Sequence, residues 1–114
     1  MTELWRWVPG RQKSGYHKCL LARSSRFFKF DLYLLRFPEG CEVPPHRDII
    51  KAGKHYRLNI VLKQAKNGGE FLCSEPIYAS KRIKLFRPDV CEHAVTRVNE
   101  GNRYLLSLGW VRND

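Results

Sequence analysis

The triplet His46-Arg47-Asp48 is the most chemically suggestive stretch of this 114-residue chain. In an extended strand residues i and i+2 point to the same side, so His46 and Asp48 project together while Arg47 turns away. An imidazole beside a carboxylate is half of a site for a hard-to-borderline metal ion. The third ligand must come from a distant segment. Four histidines are present, and His93 is favoured because it follows the turn signal Pro88-Asp89 and sits in a β-like segment leading toward the last strand. His17 lies in a basic stretch with no carboxylate nearby, whereas His55 reads as a residue that supports the ligands or faces a substrate. Two histidines and one carboxylate on one face of an octahedron leave three positions open, a donor set suited to iron(II) binding a cosubstrate together with O2.

A second chemical signal lies in Arg103-Tyr104-Leu105-Leu106-Ser107-Leu108-Gly109-Trp110. Alternation puts Arg103, Leu105, Ser107 and Gly109 on one side of a strand and Tyr104, Leu106, Leu108 and Trp110 on the other. A guanidinium on so apolar a strand is costly to bury without an anionic mate. A carboxylate bound through both oxygens is the natural one, and an incoming dicarboxylate could provide it, with Ser107 adding a hydroxyl on the same face.

The elements that must position these groups read as strands. Phe27 to Phe37 is aromatic and branched, with Phe28, Phe30, Leu32 and Leu34 on one parity, and it stops at Pro38-Glu39-Gly40. Tyr16 to Ala22 is a weaker strand ahead of it. Two prolines in Val43-Pro44-Pro45-His46 lock an extended approach. Lys54 to Lys63 alternates cleanly, with Tyr56, Leu58, Ile60 and Leu62 opposite His55, Arg57, Asn59 and Val61. Asn67-Gly68-Gly69 predicts a tight turn before a return strand, Glu70 to Cys73. Arg82 to Phe86 forms another strand, and Ala94 to Val98 with Arg103 to Val111 reads as a final pair joined by Asn99-Glu100-Gly101-Asn102. Seven or eight short strands with turns about every ten residues predict an all-β jelly-roll sandwich. One short helix is allowed near the N-terminus.

The length suits one domain over 1–114, with a basic segment over 1–25 and a core over 26–112. The net charge is +10, and residues 1–30 carry seven Lys and Arg against Glu3 alone. Such a field attracts polyanions, including nucleic acid, acidic protein or an anionic membrane surface, although no nucleic-acid module is recognisable. An acidic or macromolecular substrate is therefore favoured mildly, and oligomeric state is not legible. Cys19, Cys41, Cys73 and Cys91 form no C-x-x-C pair, and the N-terminus lacks the apolar core of a signal peptide. The expectation is a soluble cytoplasmic protein with reduced thiols and no membrane span.

Taken in order, P-P-H-R-D, Y-R-L-N-I-V-L, G-G-E-F, F-R-P-D-V-C-E-H-A-V and G-N-R-Y-L-L-S-L-G-W resemble the 2-oxoglutarate/Fe(II)-dependent dioxygenases, and within them the small hydroxylases of the prolyl and aspartyl/asparaginyl branches. The resemblance runs from about Phe30 to Trp110. It implies a double-stranded β-helix, iron held by His46, Asp48 and His93, and 2-oxoglutarate held at its distal carboxylate by Arg103. It also implies cosubstrate contacts at Arg57 and Asn59, and hydroxylation with succinate and CO2 as co-products. Many members carry Ser or Thr two residues after the arginine, where this chain has Leu105, with Ser107 two residues further on. Three alternatives stand beside this reading. One is a cupin-like metal protein that does not use 2-oxoglutarate. Another is a non-catalytic basic module whose Trp5, Trp7 and Tyr16, interleaved with Arg6, Arg11 and Lys18, suit single-stranded nucleic acid. The last is a structural zinc site built on Cys91, His93 and Cys73, without the paired-cysteine spacing such sites use.

Overall fold

A computed structural model of the chain describes residues 4–10, 14–24, 26 and 29–113. Twelve strands lie among these residues: β1 Trp7–Pro9, β2 His17–Ser24, β3 Phe30–Phe37, β4 Val43–His46, β5 Lys54–Lys63, β6 Asn67–Gly68, β7 Phe71–Cys73, β8 Tyr78–Ala79, β9 Ile83–Phe86, β10 His93–Val95, β11 Val98–Glu100 and β12 Arg103–Arg112. They form a seven-stranded sheet in the order β1-β2-β3-β12-β5-β9-β8, a three-stranded sheet β4-β10-β7 and a two-stranded sheet β11-β6, and neighbouring strands in each run antiparallel. The described residues contain no helix, so the helix allowed near the N-terminus is replaced there by β1 and its turn. Residues 1–3, 11–13, 25, 27, 28 and 114 lie outside the description, and with them the parity expected for Phe28. No helix is long and apolar enough to cross a membrane among the described residues.

The longest strands sit side by side because their alternation suits a sheet with one buried face. β12 runs against β3 from Arg103 opposite Phe37 to Trp110 opposite Phe30, and against β5 from Tyr104 opposite Lys63 to Arg112 opposite Lys54. Arg103, Leu105, Ser107 and Gly109 are all buried, while Tyr104, Leu106, Leu108 and Trp110 are only half-buried, as the alternation requires. β2 is a full eight-residue strand, with an irregularity in its pairing to β3 between Leu20 and Ala22, and β1 and β3 hydrogen-bond to both its edges.

Three expectations from local sequence are corrected. The segment from residue 94 to 98 is not one strand: β10 ends at Val95 and β11 starts at Val98, with Thr96 donating its amide to Glu70 between them. β12 does not pair with either. It is the middle strand of the large sheet, while β10 lies between β4 and β7 and β11 pairs with β6. Nor do Asn67-Gly68-Gly69 turn β5 back on itself. Gly68 has φ 76° and stands so close to the Arg97 carbonyl that a Cβ would overlap it, and Asn67–Gly68 is itself a strand. These segments cross between the sheets instead of closing hairpins, which is how a double-stranded β-helix wraps a core.

That core gathers Phe37, Cys41, Val43, Val95, Val98 and Leu105, with Tyr16, Leu35, Ala65 and Phe71 packed against it. Tyr16 stacks on Phe37 at 4.9 Å between ring centroids. Leu105 is 1% exposed, and burying a leucine contributes about 1.5–3 kcal/mol. This cluster joins the large sheet, through β3 and β12, to the small one, through β4 and β10. The space left beside it is the site.

Candidate metal centre

His46 is the last residue of β4 and His93 the first of β10, and the two are directly opposite in the antiparallel ladder. Their rings approach to 4.3 Å between centroids. Asp48 lies two residues past the end of β4 instead of within a strand, so the shared side with His46 is not a consequence of strand alternation. Its position is set by its amide, which donates to the Pro88 carbonyl at 2.7 Å, while Arg47 Nε donates to the Val90 carbonyl at 3.0 Å and draws that side chain away. One donor atom from each of His46, Asp48 and His93 lies within 4.8 Å of the others.

The donors are oriented as well as gathered. His46 Nδ1–H donates to the Pro44 carbonyl at 2.8 Å and His93 Nδ1–H to the Cys91 carbonyl at 2.9 Å. Carbonyls can only accept, so each ring donates from Nδ1, and in the neutral ring the lone pair is then on Nε2. Both Nε2 atoms stand 3.5 Å from an Asp48 oxygen, one at Oδ1 and the other at Oδ2. That spacing is too long for good hydrogen bonds and leaves room between the three groups for an ion. Phe86 and Phe71 wall the His93 ring at 5.1 and 6.1 Å, and the open side is at Asp48, whose side chain is 39% exposed.

One turn serves both halves of the triad. Residues 87–91 are closed by the Cys91 and Val90 amides on the Arg87 carbonyl and by the Arg87–Asp89 ion pair. Burial raises the Asp89 carboxyl, but the Arg87 guanidinium and backbone donors outweigh it and hold the group below its usual range. Pro88 in this turn fixes Asp48, and Cys91 at its end fixes His93. Pro88-Asp89 signals a turn in the sequence, but nothing local shows that it anchors residue 48.

A pocket of about 300 Å3 adjoins the triad, lined among others by Lys18, Tyr33, Arg57, Asn59, Arg103 and Ser107. Arg103 is 5% exposed, its Nη1 is buried without a hydrogen-bond partner, and no carboxylate pairs with it among the described residues. Burial lowers its pKa to about 10. The nearby Cys41 thiol is pushed up to about 11, chiefly by burial, and so supplies no negative charge at neutral pH. Asn59 is also buried, with an unpartnered Oδ1.

Arg57 and Ser107 are placed differently from Arg103. Arg57 donates through Nη2 to Asp31 at 2.6 Å and through Nη1 to Ser107 Oγ at 2.7 Å. The guanidinium lies over Gly109, where any Cβ would overlap it. Ser107 is four residues along β12 from Arg103, roughly 13 Å in a strand, so its hydroxyl braces Arg57. Asp31 escaped the sequence reading, yet it is the only acidic residue in β3 and shares an alternation face with Tyr33, Leu35 and Phe37. His55 faces the pocket with a buried, unpartnered Nδ1. A zinc site on Cys91, His93 and Cys73 finds no support among the described residues, since His93 directs Nδ1 to a carbonyl and Nε2 toward Asp48.

No protein-family model matches the sequence, and no curated protein matches it significantly. Solved structures do. A prolyl-4-hydroxylase from Pseudomonas putida superposes with a TM-score of 0.70 at 12% identity, covering 95% of this chain and 77% of that one. KdgF from a Halomonas species gives 0.61 at 15% identity, over 96% and 88% of the two chains. The cupin domain of Cnp3 from Schizosaccharomyces pombe gives 0.62 at 12% identity, over 85% and 65%. The fold is the cupin-type double-stranded β-helix. Within this cupin fold, the His46–Asp48–His93 cluster bridges the end of β4 and the start of β10, with the large sheet supplying the pocket's cations.

Proposed function

We propose that the chain is an Fe(II)- and 2-oxoglutarate-dependent hydroxylase. The observation that carries this reading is the coexistence, in one pocket, of a two-histidine, one-carboxylate donor set and a buried arginine that no carboxylate pairs with among the described residues. The donor set fits a ferrous ion: three ligands from one side, Nε2 lone pairs directed by backbone carbonyls, and an exposed flank at Asp48 for further ligands. Bound there, iron would supply the redox chemistry of O2 activation, with 2-oxoglutarate consumed to succinate and CO2. Arg103 binds the distal carboxylate and thereby fixes the oxoacid's direction, and Asn59 offers its carboxamide alongside. Arg57, braced by Asp31 and Ser107, contributes positive potential to the wall without being free to clamp a ligand. Phe71 and Phe86 keep water from the buried face of His93. Lys18 at the pocket, and the excess positive charge of the chain, favour an acidic substrate.

Anaerobic titration of the Fe(II)-loaded protein with 2-oxoglutarate should produce a visible metal-to-ligand charge-transfer band. The band should be absent in His46→Ala and need far more oxoacid in Arg103→Met. Tight Fe(II) binding with no such band at any concentration would overturn the assignment and favour the second reading, a cupin metal protein that does not use 2-oxoglutarate. One feature supports that second reading: Leu105 stands where the resemblance expects a hydroxyl near Arg103, and Ser107 is engaged elsewhere.

A further inference from the structure

Behind the metal ligands two thiols meet. Cys73 ends β7 directly opposite His93 in the β7–β10 ladder, and Cys91 stands two residues before His93. Their Sγ atoms are 2.7 Å apart, and neither is in a disulfide. The Glu75 amide donates to Cys91 Sγ at 3.3 Å and Ser74 Oγ lies 3.4 Å from it, so the loop after β7 holds this sulfur against its neighbour. Cys91 is buried and Cys73 is partly exposed, which gives a small solute access to the pair from one side. A disulfide needs sulfurs at ~2.05 Å with a Cβ–S–S–Cβ angle near 90°, and two cysteines already this close require side-chain rotation more than backbone movement. Cys41 belongs to the core cluster and Cys19 is buried in β2.

We infer that Cys73 and Cys91 form an oxidisable dithiol, closed to a disulfide by hydroperoxides, whose closure weakens the adjoining metal centre. In the first step one sulfur, as thiolate, attacks a peroxide oxygen. The O–O bond breaks, hydroxide leaves and a sulfenic acid forms. The second sulfur attacks the first, the S–O bond breaks and water leaves. Two thiols thus lose two electrons and two protons, and hydrogen peroxide becomes two waters. The link to the metal centre is short and runs through hydrogen bonding: the Cys91 carbonyl holds His93 Nδ1, and Cys73 is the cross-strand partner of His93. Fixing the side-chain torsions of Cys91 shifts that carbonyl, and disturbing such a support typically costs 10–100-fold in metal affinity.

The test uses the full, metal-free chain, reduced and then treated with a small excess of hydrogen peroxide. Non-reducing tryptic mapping should join the peptide spanning 67–81 to the one spanning 85–97, with loss of two hydrogens, and a thiol reductant should reverse it. Calorimetric Mn(II) affinity, a readout independent of turnover, should fall about tenfold on oxidation. Cys73→Ser, at the more exposed position, should remove both the cross-link and the sensitivity to peroxide, and Cys91→Ser should do the same if it folds. Full alkylation of both thiols after peroxide, or a cross-link to Cys19 or Cys41, would overturn the inference. An Mn(II) affinity changed by less than twofold in the cross-linked protein would overturn the coupling to the metal. The cross-link assay stands whether or not the chain proves to be an oxygenase.

Discussion

The three-stranded and seven-stranded sheets face each other across the pocket and contribute opposite kinds of chemistry. The small sheet β4-β10-β7 carries electron-pair donors, His46 and His93, with Asp48 just beyond β4. The large sheet carries cations, Arg57 on β5 and Arg103 on β12, and one of them is satisfied while the other is not. Arg57 has Asp31 and Ser107, whereas Arg103 has an aromatic ring, Phe37 at 5.3 Å, and no carboxylate among the described residues. A fold seldom leaves a buried cation unpaired without a ligand to receive it. The contrast therefore separates an arginine held by the fold from the arginine proposed to bind the oxoacid, within a single sheet.

The largest effect should come from breaking the small sheet's contribution. His93→Ala is expected to weaken Mn(II) or Fe(II) binding by on the order of a hundredfold or more, since it removes a ligand and not merely a support, as measured by calorimetry. Arg103→Met should separate binding from stability on the other side. The dissociation constant for 2-oxoglutarate should rise by about a hundredfold, as for loss of a charge-assisted pair, while the denaturation midpoint of the ligand-free protein rises. The sign follows from the depressed pKa: bringing it from 12.5 to about 10 corresponds to a burial cost of roughly 3 kcal/mol at neutral pH, which methionine does not incur. If Arg103→Met is destabilising, the arginine has a structural partner and the contrast with Arg57 fails.

Asp31→Asn probes the satisfied arginine. Leaving Arg57 without its carboxylate should cost roughly 1–2 kcal/mol in urea unfolding, with little change in metal affinity. Asp89→Ala tests the turn that joins the two histidine segments. It touches no proposed ligand, yet it should lower metal affinity about tenfold by loosening Pro88 and Cys91. The smallest effect concerns pH. Burial, then the Arg57 charge, holds His55 below its ordinary 6.5 despite Asp31, Asp48 and Asp89. The unfolded chain therefore takes up this proton first, and stability is lost as pH falls below about 6.5 toward the folded value. His55→Gln should flatten that portion of the stability profile.

Much of the large sheet was legible in the chain. The period of two in β12 places Arg103, Leu105, Ser107 and Gly109 on the buried side, and the same period in β5 places His55, Arg57 and Asn59 toward the pocket. Alternation is a local property, set by backbone geometry at each residue. The small sheet was legible only as residue types. Asp48 does not follow β4 alternation, because a hydrogen bond to a carbonyl 40 residues away overrides it. The break between β10 and β11 likewise answers to partners on different sheets, which no window of ten residues contains.

By itself, the sequence determined the class of elements, the turns at 38–40 and 87–89, the parity of β5 and β12, and which side chains could bind a metal or an anion. Those features depend on neighbours a few bonds apart. Strand partners, the convergence of residues 46, 48 and 93, the pairing of Arg57 with Asp31 and the absence of a carboxylate beside Arg103 among the described residues were decided only by tertiary structure. Each of these depends on which distant backbone a segment meets once the core has closed, and many registers satisfy the same local pattern until that burial selects one.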